Sequence, residues 1–253
     1  MAITPNRWAV REAAEATFYN TATGDAIVTL QTLKMTEVQT TGETVYARGG
    51  KGNAKIQGFS SNREARVTIQ DAIFDNLALG MLTGNDIVEG SQSVSKFYRA
   101  TLDALGSFEV PAEMGTIDSV ISIHALDYDG ITPLAPLVVT TDYTITGNEI
   151  DIVSGTLGDK YVVYFQTTTQ PTSKTVTVTA DKFGGTFKLV VDVTVRDEFT
   201  GHDFYGQFVA ERAKIEDDFS FNFSPDGDPS VLDIPIEILK DPMSKDMWKL
   251  IIF

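Results

Sequence analysis

The chain has 253 residues and no cysteine, is 42% apolar, and carries a formal net charge of −15 from 35 acidic and 20 basic side chains. The missing cysteines exclude disulfide staples, thiolate nucleophiles and Cys-ligated metal sites, and the apolar content excludes a disordered acidic tail. The acidity excludes a grip on phosphate backbones, which needs Lys and Arg, but suits a surface over which DNA slides without sticking.

In chain order, the N-terminal stretch has no apolar leader core and places Arg7, Arg11 and Glu12 where one would lie. Ala16–Asn20 predicts a short strand, closed by a turn at Gly24. Asp25–Glu37 follows, patterned on both faces, as expected of a strand that meets protein on each side. Residues 40–53 are Gly-rich and predict an exposed loop. Ala54–Phe59 and Glu64–Gln70 predict a hairpin across Ser60, Ser61 and Asn62. Asp71 is a candidate N-cap for a helix over 72–82, with Ile73, Phe74, Leu77 and Met81 on its buried face and Gly84 as its stop.

Charge then changes character. Residues 1–106 carry net −1, residues 107–170 net −8 with Lys160 the only cation, and residues 171–253 net −6. The middle segment opens and closes with loop-like sequence at Leu105–Ser107 and Thr167–Thr172. It is read as a small inserted acidic β domain (107–170), interrupting a discontinuous core of 1–106 and 171–253. One long acidic excursion of a continuous fold is the alternative. Within it, strands are predicted at Ser119–Ala125, Leu137–Thr140, Tyr143–Thr146, Glu149–Val153 and Tyr161–Thr168, with a tight turn at Gly147-Asn148. The last segment predicts strands at Thr175–Thr179, Thr186–Arg196, Asp203–Glu211, Ala213–Phe223 and Val231–Leu239. The fold class is all-β with one flanking α-helix.

Catalytic and metal chemistry find little support. There is no G-x-S-x-G, P-loop or H-E-x-x-H. Of the two histidines, His124 sits in an apolar strand and His202 in a turn, so each is better explained by packing or solvation. Asp127–Gly130 and Asp226–Asp228 begin like calcium loops but lack the spacing. Glu216, Asp217 and Asp218 are adjacent and fit an acidic turn or a rim better than an acid/base pair. No cofactor and no metal is expected, and the chain is not read as an enzyme. The C-terminal apolar run, Leu250–Phe253, is far short of a membrane span of about 20 residues. The expectation is a soluble protein made in the cytoplasm.

Several stretches resemble bacteriophage tail tube proteins: Asp25–Glu37, Thr44–Lys55, Thr68–Leu82, Phe187–Glu211 and the run from Phe219 through Pro229. The resemblance covers about 16–106 and 181–240 and does not extend to 107–170. It implies a β-sandwich or partial barrel whose copies form hexameric rings, stacked into a tube through which DNA is ejected. It also implies an inter-ring loop, here Thr41, Gly42, Glu43, Thr44, Val45, Tyr46, Arg48, Gly49, Gly50 and Lys51. An N-terminal arm (about 2–15) and a C-terminal tail (Trp248, Leu250, Ile251 and Phe253) would contact neighbouring subunits. Glu211, Glu216, Asp217 and Asp218 are the candidates for the lumen. The implied partners are further copies of the chain and other tail proteins such as sheath, baseplate or terminator proteins. DNA would pass without adhering, and no membrane is involved. The implied location is the virion tail, assembled in the host cytoplasm. The acidic insert would lie outside the tube. The alternative function is a virion-surface or secreted β-sandwich module that binds a glycan or calcium, with Tyr128, Tyr143, Tyr161 and Tyr164 as its aromatics.

Overall fold

The computed structural model describes residues 4–220 and 230–253. Four strands open the chain: β1 (Trp8–Asn20), β2 (Ala26–Leu30), β3 (Leu33–Gly49) and β4 (Ala54–Asp71). The helix α1 (Asn76–Thr83) follows. Next come β5 (Val88–Glu89), β6 (Ser93–Thr101), β7 (Ser107–Glu109), β8 (Ser119–Leu126), β9 (Pro133–Pro136), β10 (Tyr143–Thr146), β11 (Glu149–Ile152), β12 (Lys160–Thr168) and β13 (Lys174–Thr175). The chain closes with β14 (Thr186–Asp197), β15 (Asp203–Ile215), β16 (Leu232–Ile238) and β17 (Lys249–Ile252). The described residues are all-β with one α-helix.

The chain divides into two compact units, one of residues 1–87 and 176–253, the other of 88–175. The expected boundaries were 107 and 170. The second unit extends beyond these on both sides, because β6 pairs with β12 from Ser93↔Thr168 to Thr101↔Lys160 and β5 pairs with β13.

In the first unit one antiparallel sheet runs β2-β1-β14-β15-β16-β4-β3. Its two ends, β2 and β3, are joined by Gln31 and Thr32 alone. The stretch predicted as one strand over Asp25–Glu37 therefore bends and changes partner: Ala26–Leu30 pairs with β1, and Leu33 onward with β4. A strand that switches sheets at a bend is how sandwiches and barrels make corners. Thr32 bonds the Asp71 carboxylate through its hydroxyl at this corner. The core enclosed holds Phe18, Leu30, Val67, Ile69, Leu189, Ile215, Leu232 and Ile236, all at most 2% exposed. Alternation of period two puts these inside and their neighbours outside.

The helix starts later than expected. Asp71 ends β4, and the cap is Asp75, whose carboxylate accepts from the N–H groups of Leu77 (2.6 Å) and Ala78 (3.2 Å). Gly84, at φ 67°, ends the helix in the left-handed conformation. Ala78, Met81 and Leu82 face the core, while Ile73 and Leu77, predicted for that face, are 60% and 56% exposed. With the cap four residues later, Ile73 lies outside the helix and Leu77 in its first turn, and the buried stripe begins at Ala78.

Other boundaries also move. β15 runs unbroken through Arg212, where two strands were predicted, and stops at Ile215. The predicted stretch through Phe221 and Phe223, and the Asp226–Asp228 turn, lie outside the described residues. Thr175–Thr179 reduces to the two-residue β13, and Leu137–Thr140 keeps only an isolated bridge at Val139, with β9 preceding it.

The second unit has its own core, built on Leu102, Val110, Ile123, Ile150, Val163 and Phe165. Its sheets are β6-β12-β8-β9, β10-β11-β7 and the short β13-β5. The turn at Gly147-Asn148 joins β10 to β11, with Thr146 opposite Glu149. The unit's 11 acidic and 4 basic residues give net −7.

Candidate functional site

The segment predicted as the Gly-rich loop is mostly strand. β3 and β4 form one long hairpin, paired from Leu33↔Asp71 out to Gly49↔Ala54. Glycine density marked only the tip, where Gly50 (φ 74°), Gly52 (φ 91°) and Asn53 (φ 50°) take left-handed conformations. The break predicted at Ser60–Asn62 is a β-bulge. Gly42 faces Asn62 and Arg63 between the pairs Thr41↔Glu64 and Glu43↔Ser61. Asn62 sits there at φ 50° and donates through Nδ2 to Glu43 Oε2 at 2.8 Å.

The bulge separates two regimes. Below it, Ala65, Val67 and Ile69 are buried and β16 pairs with β4. Above it, residues 42–48 and 54–63 are exposed on both faces, over a length of roughly 25 Å at about 3.4 Å per residue along the shorter strand. Among the described residues no third strand pairs with this outer half. It carries Val45 (62% exposed), Ile56 (69%) and Phe59 (59%). Lys55 Nζ stands 4.0 Å above the Tyr46 ring, a cation–π contact. The expected inter-ring residues Thr41 to Lys51 thus lie together on one projecting ribbon and its turn.

The C-terminal tail forms β17, which pairs with Gly206–Val209 of β15. Trp248 anchors it: the indole packs on Phe208 with centroids 5.5 Å apart, and Nε1–H donates to Thr40 Oγ1 at 3.1 Å. Leu250, Ile251 and Phe253 remain 37%, 44% and 61% exposed. Of the residues expected to form an N-terminal arm, Trp8 onward are strand β1, paired with β14.

The four lumen candidates do not form one cluster of free charge. Glu211 is bridged by Lys188 (3.1 Å) and Lys249 (3.2 Å). Burial pushes its pKa up, but hydrogen bonds from those two lysines outweigh that and hold it below the ordinary glutamate value. Glu216 is paired with Arg66. Asp217 accepts from the Gly184 N–H at 3.1 Å, and Asp218 is exposed.

A second charged cluster went unnoticed in the sequence. At the far end of β14 and β15, the Asp203 carboxylate binds Arg196 on the neighbouring strand (2.6 and 2.9 Å) and Arg11 on β1. The Arg196 hydrogen bond, with Arg11 adding to it, lowers the Asp203 pKa to about 2 against the opposing effect of desolvation. Arg7 bridges Glu198 at 2.6 Å. Only pairing register brings residues 11, 196 and 203 together, and spacing along the chain carries no trace of it.

The remaining candidates are accounted for locally. The His124 ring is held between Leu134 O (2.7 Å) and Ser122 Oγ (3.1 Å), edge-on to Tyr164. Asp129 accepts from the Ile131 and Thr132 N–H groups in the β8–β9 turn. Tyr143 and Tyr161 are buried in the second core, whereas Tyr128 is 96% exposed. Among the described residues no group of three or more His, Asp or Glu is placed to hold a metal, and no helix is long and apolar enough to cross a membrane.

No curated protein matches the chain. The model of the YomU/Tube protein family matches it over residues 8–252, nearly end to end and across both units. The chain therefore belongs to the YomU/Tube protein family, a family of phage tail tube proteins.

Proposed function

We propose that the chain is a non-enzymatic structural subunit that closes into hexameric rings, and that the rings stack into the conduit for DNA ejection. The observation that carries this reading is the outer half of the β3–β4 hairpin. An isolated two-stranded ribbon is marginal in water, and this one exposes Val45, Ile56 and Phe59. Docking against the next ring buries those side chains and fixes the ribbon. Residues Thr41 to Lys51 are its contact surface in this reading. The acidic 107–170 segment lies on the outside of the tube, where added volume obstructs least. Repulsion of DNA phosphates by the lumen falls chiefly to Asp217 and Asp218, since Glu211 and Glu216 already have cationic partners. Sheath, baseplate or terminator proteins bind at the ends or around the tube, and assembly takes place in the host cytoplasm.

Negative-stain microscopy of the purified chain tests the proposal. Stacked sixfold rings are expected. A chain that stays monomeric at high concentration overturns it.

A further inference from the structure

We propose that β17 is an exchangeable strand: it covers the open edge of β15 in the free chain and passes to the same edge of a second copy during assembly. This rests on the self-assembly reading above and adds how the subunit is kept from pairing prematurely. β15 is 13 residues long, but on the side away from β14 its pairing with β16 is confined to Ala213–Ile215. The rest of that edge is taken by β17, through the pairs Gly206↔Ile252 to Val209↔Lys249 and a backbone pair between Tyr205 and Phe253. Without β17, residues 205–209 present a bare strand edge, a template for pairing with another chain.

Three features make β17 removable. It has four residues, and none of its side chains is fully buried. The backbone ladder, the Trp248 contacts and the Lys249–Glu211 pair are its main ties. Residues 239–248 connect it to β16, and fully extended these ten residues span roughly 33–36 Å. A second copy offers the identical edge, the same Phe208 for Trp248 and the same Glu211 for Lys249. Exchange therefore restores the strand's own contacts and gives up only the turn bonds inside the linker, such as Asp241 to Asp246, a low-cost route of the domain-swapping kind. Passed from copy to copy in one direction, the strand links subunits head to tail, a geometry that closes into a ring.

The absence of native cysteine makes the test clean. Gln207 and Ile251 are direct register partners, so their Cβ atoms lie within about 5.5 Å of each other. Full-length Gln207→Cys and Ile251→Cys chains are mixed, left to assemble and oxidised. An intermolecular disulfide joining one of each is expected. The double variant, oxidised as a monomer, is expected to lose assembly and to regain it on reduction. Absence of the intermolecular bond, with the locked double variant assembling like the unmodified chain, overturns the exchange. Should the double variant not fold, the mixed single variants decide alone. If the unmodified chain forms no rings, the tube reading fails separately. The mixed variants at high concentration then still decide: a cross-linked dimer supports exchange and its absence overturns it.

Discussion

The first unit contains two long antiparallel hairpins that meet opposite fates. β14 and β15 are flanked by β1 on one side and by β16 and β17 on the other, and they bury Leu189, Val191, Val195 and Phe208. Below the Gly42–Asn62 bulge β4 shares that environment, flanked by β16 and β3, while β3 ends the strand order and buries none of its side chains; above the bulge both project with both faces exposed. The backbone ladder is the same in both hairpins. What differs is whether side chains find a second layer, so pairing alone does not tell framework from contact surface. Burial does.

The largest expected effect sets the two halves of the β3–β4 hairpin against each other. Ile69 is fully buried below the bulge, and Ile69→Ala should cost about 2–5 kcal/mol of stability. Phe59→Ala, above it, should change the stability of the free chain by no more than about 0.5 kcal/mol yet weaken ring stacking. The two tryptophans, Trp8 and Trp248, both lie in the first unit, so denaturant unfolding followed by their fluorescence reports that unit separately. Similar losses from both substitutions would break the comparison, because the ribbon would then be part of the folded framework.

This division was only half legible in the sequence. The core strands declared themselves: the alternation through Thr186–Arg196 and Val231–Leu239 places the elements to within one residue at each end, since burial of one face imposes a period of two. Of the projecting ribbon only one arm did, at Ala54–Phe59; the other was hidden because strands without a second layer need no alternation, and its polar, Gly-rich residues look like a loop. Turn signals misled at Ser60–Asn62 for a related reason. Asn62 takes the left-handed conformation of a turn residue, but the chain uses it for a bulge and continues. Asp71 is the cap expected from the sequence, and Asp75 is the cap observed. The choice falls to Asp75 because Asp71 is drawn into the corner with Thr32. The Asp203 cluster depends on register across three strands, and no local pattern encodes it.

The bulge itself gives the next prediction. Asn62→Ala places an ordinary side chain at φ 50° and removes the bond to Glu43, which should cost about 1–2 kcal/mol. Asn62→Gly keeps the conformation and should cost less. Because the bulge sets where the ribbon leaves the core, Asn62→Ala should impair assembly more than its stability loss accounts for. Equal stability and assembly for the Ala and Gly variants would show that the bulge is incidental. A smaller effect is expected from Tyr46→Leu, which removes the cation–π contact with Lys55 and should cost about 0.5–1 kcal/mol of ribbon order, read as faster amide exchange at Val45 and Gln57.

The smallest effect concerns the far end of the buried hairpin, where charge does what burial does below it. Asp203 ties β15 to Arg196 on β14 and Arg11 on β1, and its folded pKa of about 2 lies below the ordinary 3.8. A depressed carboxylate contributes stability that is present above the unfolded value and lost as pH falls through the folded one. The tie should therefore hold at pH 5, weaken below about pH 4 and be gone near pH 2. Trp8, in register with Asp197 beside this cluster, reports it in a Trp248→Phe background. Its emission should shift in the pH 4 to 2 window, and Arg196→Gln should move that shift toward the ordinary carboxylate range. Among the described residues the projecting ribbon has no ion pair of this kind, only the Asn62–Glu43 hydrogen bond at its base, so amide exchange at Val45 should show no transition matching that of Asp203 over the same window. A matching transition there would mean that the two hairpins are coupled through β1 and β3, and that the contrast between them ends at low pH.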